Sequence, residues 1–76
     1  MQLAKGATCG PHCYSLAVSL RNFAAGPHTV ACWSGHAGQF DSYSTSTQTS
    51  SGCSYGHPHD TVWVVVEGHR SNTVTW

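Results

Sequence analysis

Four cysteines in a chain of only 76 residues limit what this sequence can fold into. A chain of this length buries only about 60–65% of its unfolded surface, so its hydrophobic core alone gives marginal stability. Two disulfides formed in an oxidising compartment would supply the missing stability. The alternative is a zinc site with four thiolate ligands, which usually needs two closely spaced pairs. Only Cys9 and Cys13 form such a pair, whereas Cys32 and Cys53 stand alone, and this spacing favours disulfides.

The low charge of the chain excludes some classes of function. Charged residues make up 8% of the sequence, and the formal net charge is zero. Nucleic-acid binding and adhesion to anionic membranes both need a dense basic surface, so we expect neither. No apolar run is long enough to span a bilayer, and the first ten residues lack the apolar segment of a signal peptide. The apolar share of 39% nevertheless predicts a folded domain.

Apolar residues recur at the two-residue period of β-strands. This alternation predicts strands over 13–20, 28–33, 39–46, 61–66 and 71–76, and the β-branched segment 61–66 is typical of a central strand. We expect the sequence EGHR to form a hairpin turn and the polar segment STQTSSG to be a connection. Strand 61–66 is expected to pair antiparallel with strand 28–33, and Phe23 and Phe40 are expected to point into the core. A single domain over residues 1–76 follows. Its predicted fold is all-β, a small immunoglobulin-like β-sandwich of five to seven short antiparallel strands.

A series of short motifs runs through nearly the whole chain. The motifs are Cys9…Cys13-Tyr14, Asn22-Phe23, Thr29-Val30-Ala31-Cys32, Gly38-Gln39-Phe40, Ser42-Tyr43, Cys53-Ser54-Tyr55-Gly56, Thr61-Val62-Trp63-Val64, Glu67-Gly68, Ser71-Asn72 and Trp76. Their order and spacing resemble small disulfide-bonded β-sandwich modules that occur in secreted and cell-surface proteins of actinobacteria. The resemblance implies an extracellular location, the disulfide pairs Cys9–Cys13 and Cys32–Cys53, and no catalytic residues.

The sequence departs from this pattern at three histidines. His57, His59 and His69 stand where the resemblance leads us to expect an aromatic, a small and an aliphatic residue. Natural variation and deliberate substitution on a stable scaffold both explain such departures, and the sequence does not separate them.

Histidine is the commonest metal ligand, and this chain has six. The strand between His59 and His69 spans about 20 Å at ~3.3 Å per residue, so His69 cannot share a site with His57 and His59. The predicted strand directions place His12 and His36 at the same end as His57 and His59. We therefore weigh a zinc-type site made by His57, His59 and His36, with His12, against exposed loop histidines that bind nothing. A pH-sensing or engineered binding surface is the third alternative.

Three aromatic residues are predicted to point away from the core. Trp33, Tyr43 and Trp63 lie at outward positions of the predicted strands, and aromatic side chains on a flat sheet suit a polysaccharide or protein surface. The alternative is that they pack on one another and only cover the sheet.

Enzymatic activity is not expected. The chain has three acidic residues in total, no nucleophile-elbow motif and no pair of carboxylates placed for glycoside hydrolysis. We therefore expect a monomeric, non-catalytic, extracellular accessory or binding module, or a stable scaffold, that requires no cofactor. The alternative function is a histidine-based, zinc-type metal-binding protein, natural or engineered.

Overall fold

A computed structural model describes residues 1–20, 26–46 and 48–76 of the chain. The described residues form eight β-strands and no helix, which confirms the predicted all-β class. None of them belongs to a helix that could cross a membrane. The strands are β1 (Gln2–Gly10), β2 (Cys13–Ser19), β3 (His28–Ser34), β4 (Gly38–Thr45), β5 (Thr49–Tyr55), β6 (Thr61–Val66), β7 (His69–Arg70) and β8 (Val74–Thr75).

The strands form two antiparallel sheets that pack as a small β-sandwich. The smaller sheet has the order β1-β2-β5, and the larger has the order β4-β3-β6, with β7 and β8 both paired to β6. The predicted antiparallel pairing of β3 with β6 is confirmed, and β6 lies inside its sheet as its β-branched sequence indicates. The β6–β7 hairpin turns at Glu67 and Gly68 with φ values of 52° and 79°, as the sequence EGHR predicts. Immunoglobulin-like connectivity stays a prediction.

The core lies between the sheets and follows from the alternation of side chains along each strand. On the larger sheet, Val30 and Cys32 of β3 face inward together with alternate valines of β6. On the smaller sheet, Leu16 and Val18 of β2 face them. The buried apolar residues are Leu3, Leu16, Val18, Leu20, Val30, Cys32, Cys53, Val62, Val64, Val66 and Trp76. Phe23, also expected to contribute to the core, lies outside the described residues.

Two strands of the smaller sheet differ from the sequence-based prediction. β1 was not predicted, because only Leu3 among its nine residues is buried and the strand therefore carries no alternation. β5 includes part of the polar segment that was predicted to be a connection. Both strands form by antiparallel hydrogen bonding to β2, which lies between them. The predicted final strand is shorter than expected, since only Val74–Thr75 pairs with β6.

Two disulfides are present, and they pair as the resemblance implies. Cys32 of β3 and Cys53 of β5 form a buried bridge that joins the two sheets, with a Cα–Cα distance of 6.6 Å. Cys9 and Cys13 close the turn between β1 and β2, and Cys9 is exposed. Together with the fold, these bridges establish a small disulfide-bonded β domain, consistent with folding in an oxidising compartment.

The segment after β7 connects the two sheets by hydrogen bonds. The Asn72 amide side chain accepts a hydrogen bond from the Leu3 backbone N–H at 2.7 Å and donates one to the Leu3 carbonyl at 3.0 Å. Asn72 therefore pairs with β1 as a neighbouring strand would. The buried Ser71 hydroxyl accepts the Val64 N–H at 3.0 Å, which holds the same segment against β6.

Candidate functional site

The outer face of the larger sheet carries two tryptophans side by side. Trp33 of β3 and Trp63 of β6 are directly opposite in the antiparallel register. Their ring centroids are 6.4 Å apart, and the ring planes differ by 12°. Both point outward because they alternate with the buried residues Cys32, Val62 and Val64. The strand pattern thus places the two indoles together on one surface, and the pairing register decides how close they lie.

Arg70 extends this aromatic pair. Its guanidinium carbon lies 4.1 Å from the centroid of the Trp63 ring, which is within the range of a cation–π contact. Arg70 reaches the ring because it pairs with Val65 and so shares the outer face with Trp63. Its Nη2 also donates a hydrogen bond to the Thr73 hydroxyl at 3.2 Å. The surface formed by Trp33, Trp63 and Arg70 is called the tryptophan face below.

The tryptophan face is bordered by small and uncharged polar side chains. The register places these neighbours on the outer side of β3, β4, β6 and β8, and they are Thr29, Ala31, Gln39, Ser42, Ser44, Thr61 and Thr75. None of them carries an acid. The indole Nε1 of Trp33 is buried and has no hydrogen-bond partner among the described residues. Contact with a ligand would therefore use the ring surface of Trp33 and the polar groups around it.

Sequence reasoning did not identify Arg70 as part of this surface. A signal was nevertheless present, because a two-residue hairpin turn at Glu67–Gly68 fixes which residues of β7 oppose those of β6. With Val66 opposite His69, the next pair is Val65 and Arg70, and this pair lies on the outer face.

The prediction that Tyr43 points outward is wrong. Tyr43 pairs with the buried Val30, so its side chain lies on the inner face of the larger sheet and packs against the core. Its ring covers Gly52 of β5, where an added Cβ would lie 2.6 Å from the ring, and its hydroxyl is 2.7 Å from the Ser50 hydroxyl. Burial raises the pKa of Tyr43, and its hydrogen bond with Ser50 opposes that rise.

A register irregularity in β4 explains the error over Tyr43. Cys32 pairs with Asp41 and Trp33 pairs with Gln39, so Phe40 is an extra residue between the two pairs. Such a bulge reverses the alternation on one side of it. As a result Phe40 still packs toward the core, as predicted, while the residues that follow it face the opposite way from the expected pattern.

The four histidines at the other candidate site separate into two pairs. His36 and His57 lie with ring centroids 4.7 Å apart, in the loops before β4 and β6. His12 and His59 both line a different cleft of about 160 Å³. The four therefore share one end of the sandwich, as the strand directions predict, but they do not surround a common point.

A zinc-type site made by His57, His59, His36 and His12 is not found. Among the residues that the structure describes, no three His, Cys, Asp or Glu side chains are grouped so that they could hold a metal ion. His57 Nδ1 lies 3.1 Å from the carbonyl oxygen of Pro58, the next residue in the chain. His28 is at the opposite end, where its Nδ1 lies 2.7 Å from a Glu67 carboxylate oxygen.

Asp60, the carboxylate nearest to these histidines, is occupied by hydrogen bonds. It accepts one from the Tyr55 hydroxyl at 2.5 Å, one from the Thr61 N–H at 2.8 Å and one from the His36 N–H at 3.3 Å. The Tyr55 bond is the main reason why the pKa of Asp60 is lowered. Burial raises the pKa of Tyr55, and the bond to Asp60 raises it further. Asp60 thus fixes the loop before β6.

Comparisons with protein-family models, with curated proteins and with solved structures find no match for this chain. The resemblance to actinobacterial modules therefore stays a prediction. The chain itself is a small two-sheet β domain held by two disulfides, with an aromatic surface on its larger sheet.

Proposed function

We propose that this chain is a non-catalytic, extracellular binding module whose tryptophan face binds a neutral polysaccharide surface. The observation that carries the proposal is the near-parallel Trp33–Trp63 pair on the outer side of the larger sheet. Both indoles are half-buried on the outer side, while the inner side of the same strands packs against the smaller sheet. Aromatic rings presented in this way suit the flat apolar side of a sugar ring.

The surroundings of the two indoles favour a sugar over a charged partner. The bordering side chains offer hydroxyl and amide groups, which hydrogen-bond to sugar hydroxyls without requiring opposite charge. The cation of the tryptophan face, Arg70, already lies over the Trp63 ring. The whole chain carries three basic and three acidic residues, which gives little electrostatic attraction for a nucleic acid or an anionic membrane.

The disulfides support an extracellular setting for this module. Bridges of this kind form and persist in oxidising environments, and small secreted domains rely on them because their cores are small. The Cys32–Cys53 bridge also joins the sheet that carries the tryptophan face to the sheet behind it. A rigid surface loses less conformational entropy on binding, which suits a module that acts as a monomer with a small contact area. The resemblance to secreted actinobacterial modules agrees with this setting.

Binding to insoluble cellulose and chitin tests the proposal. The disulfide-bonded protein is incubated with each polysaccharide, and the bound fraction is measured over a range of protein concentrations. We expect saturable binding that Trp33→Ala and Trp63→Ala each weaken by about tenfold, because an aromatic contact contributes about 0.5–1.5 kcal/mol beyond the area that it buries. Trp33→Phe should retain part of the affinity, because it keeps an aromatic ring.

Gln2→Ala provides the matched control, since Gln2 is exposed on the smaller sheet. It should bind as the unaltered protein does. Unchanged binding by folded Trp33→Ala would contradict the proposal. So would the absence of binding to both polysaccharides. In either case the indoles serve only to cover the sheet, and the chain is a scaffold or a module for a protein partner.

A further inference from the structure

A second surface feature lies at the end of the sandwich where four histidines gather. It is a cleft of about 160 Å³ between the β1–β2 turn, the loop before β6 and the end of β8. We call it the cationic cleft. Its lining residues are Lys5, His12, Tyr14, Pro58, His59 and Trp76. The tryptophan face does not include any of these residues, so the cleft is separate from the surface proposed above.

The lining of the cationic cleft contains three nitrogen bases and no acid. The Lys5 ammonium lies 4.9 Å from the centroid of the Tyr14 ring and 5.8 Å from that of Trp76, so both rings hold it at the cleft. These rings meet edge to face, with centroids 6.0 Å apart and planes at 89°. Cation–π contacts with these two rings therefore position the Lys5 ammonium at the cleft.

Both histidines of the cleft have an unusual backbone conformation. The φ angles are 59° at His12 and 65° at His59, in the left-handed region that side-chain-bearing residues adopt infrequently. Neighbouring bonds hold both in place. The Cys9–Cys13 bridge closes the turn that contains His12, and the His59 N–H donates to the Trp76 carbonyl at 2.8 Å. The local backbone therefore fixes where both imidazoles begin at the cleft.

We infer that the cationic cleft binds a small oxyanion, either a carboxylate or a sulfate group, between Lys5, His12 and His59. Lys5 supplies a permanent positive charge, and the imidazoles supply N–H donors and, when protonated, two further charges. The cleft, at about 160 Å³, has room for one such group. An acidic substituent on a polymer chain and a free anion share this chemistry.

Affinity for the oxyanion should increase as the pH falls. Histidine side chains ordinarily gain a proton between about pH 6 and 7, and each protonated imidazole adds a positive charge to the cleft. The acidic residue next to His59 in the sequence is Asp60. The carboxylate of Asp60, next to His59, accepts its hydrogen bonds from Tyr55, Thr61 and His36.

Titration with sodium sulfate, followed by amide and indole signals in two-dimensional NMR, tests this inference. Sulfate keeps its charge across the pH range used, so any pH dependence comes from the protein. Sodium chloride keeps the ionic strength constant. At about pH 5.5 we expect a saturable shift centred on His12, His59 and the Trp76 indole, with an affinity about tenfold higher than at about pH 8. A parallel titration with sodium acetate should give the same set of shifts.

His12→Asn and His59→Asn are the diagnostic variants, because asparagine tolerates a positive φ and so preserves the local backbone. Each should lower the sulfate affinity by about threefold at low pH and reduce its pH dependence, because two imidazoles share the expected tenfold effect. Lys5→Gln should weaken binding at both pH values without changing the ratio between them. His69→Asn, at the opposite end of the sandwich, is the control and should change nothing.

Three results would overturn the inference. One is a shift that grows linearly with sulfate and does not saturate. A second is equal affinity at the two pH values. The third is unchanged binding by folded His12→Asn and His59→Asn variants.

Discussion

The two faces of the larger sheet are made by the same strands, but one is buried in the core and the other faces outward. On the inner face, Val30, Cys32 and the alternate valines of β6 are all 0% exposed. On the outer face, Trp33, Trp63 and Val65 are half-buried and contact mainly their own neighbours in the sheet. Adjacent residues such as Cys32 and Trp33 therefore have opposite surroundings.

This difference separates stability from recognition. The inner face fills the space between two sheets, so a change in volume there leaves a cavity or a clash that the fold cannot easily absorb. No second layer covers the outer face among the residues that the structure describes, and side chains on that face can change without opening the core. The inner face should consequently control the free energy of unfolding, and the outer face should control binding.

Removal of the bridge on the inner face should have the largest effect. The double change Cys32→Ala and Cys53→Ala opens a loop with a sequence separation of 21, which should lower the free energy of unfolding by about 3 kcal/mol or more. Urea denaturation of the oxidised proteins measures the loss. The comparison variant, Cys9→Ala with Cys13→Ala, opens a separation of only 4 at the surface and should cost about 2 kcal/mol. Equal losses would mean that the inner position of the bridge gives no additional stability.

Neighbouring valines of β6 give the most direct comparison of the two faces. Val64 is fully buried on the inner face and Val65 is half-buried on the outer face. Val64→Ala should lower the free energy of unfolding by about 2–3 kcal/mol, from lost burial and the cavity that remains. Val65→Ala should cost less than about 1 kcal/mol. Thermal and urea denaturation of both variants checks the ratio, and similar losses would show that the outer face is packed as tightly as the inner one.

Asp60 lies in the loop before β6, and the effect of its substitution on the free energy of unfolding should depend on pH. Asp60→Asn should lower the free energy of unfolding near pH 7 by about 1 kcal/mol through weaker hydrogen bonds with Tyr55 and the loop. The folded state lowers the pKa of Asp60 below its ordinary 3.8. Its stabilising contribution is therefore complete above that value and is lost as the pH falls through the lower, folded-state pKa.

Melting temperatures from about pH 7 down to about pH 2 provide the measurement for Asp60. As the pH falls, the melting temperature of the unaltered protein should approach that of Asp60→Asn, so the two curves should converge in acid. Parallel curves over the whole range would show that the Tyr55–Asp60 bond does not link folding to protonation.

Arg70 should give the smallest effect on stability. Its contact with the Trp63 ring is at the surface, where a cation–π contact contributes about 0.5–1 kcal/mol. Arg70→Ala should therefore lower the free energy of unfolding by no more than that amount. It should also change the fluorescence of Trp63, because the guanidinium no longer lies over that ring. Arg70→Lys serves as the charge-preserving control. A loss of several kcal/mol in Arg70→Ala would place Arg70 among the residues that hold the fold.

The sequence predicted strands best where their residues face a core on one side. β2, β3 and β6 show clear alternation or continuous β-branched residues, and all three were predicted. β1 and β5 carry little apolar signal, because β1 buries one of nine residues and β5 is rich in serine. Their pairing depends on β2, which lies between them, and no local pattern encodes that dependence.

The two candidate binding sites show the same limit. Alternation along β3 and β6 was enough to place Trp33 and Trp63 outward, but a bulge at Phe40 reversed the expected direction of Tyr43. The histidines were placed at the correct end of the sandwich from strand directions alone. Their separation into two pairs depends on loop conformations, including the positive φ values of His12 and His59, which the residue types do not specify.

By itself, the sequence determined the all-β class and the central strands β2, β3 and β6, because side-chain alternation and cysteine content depend only on the order of residues. The disulfide pairing came from a resemblance, and the structure agrees with it. Tertiary structure alone decided the partners of β1 and β5, the bulge in β4 and the shape of the cationic cleft. No local pattern encodes these features, because they follow from how two sheets fill one shared core.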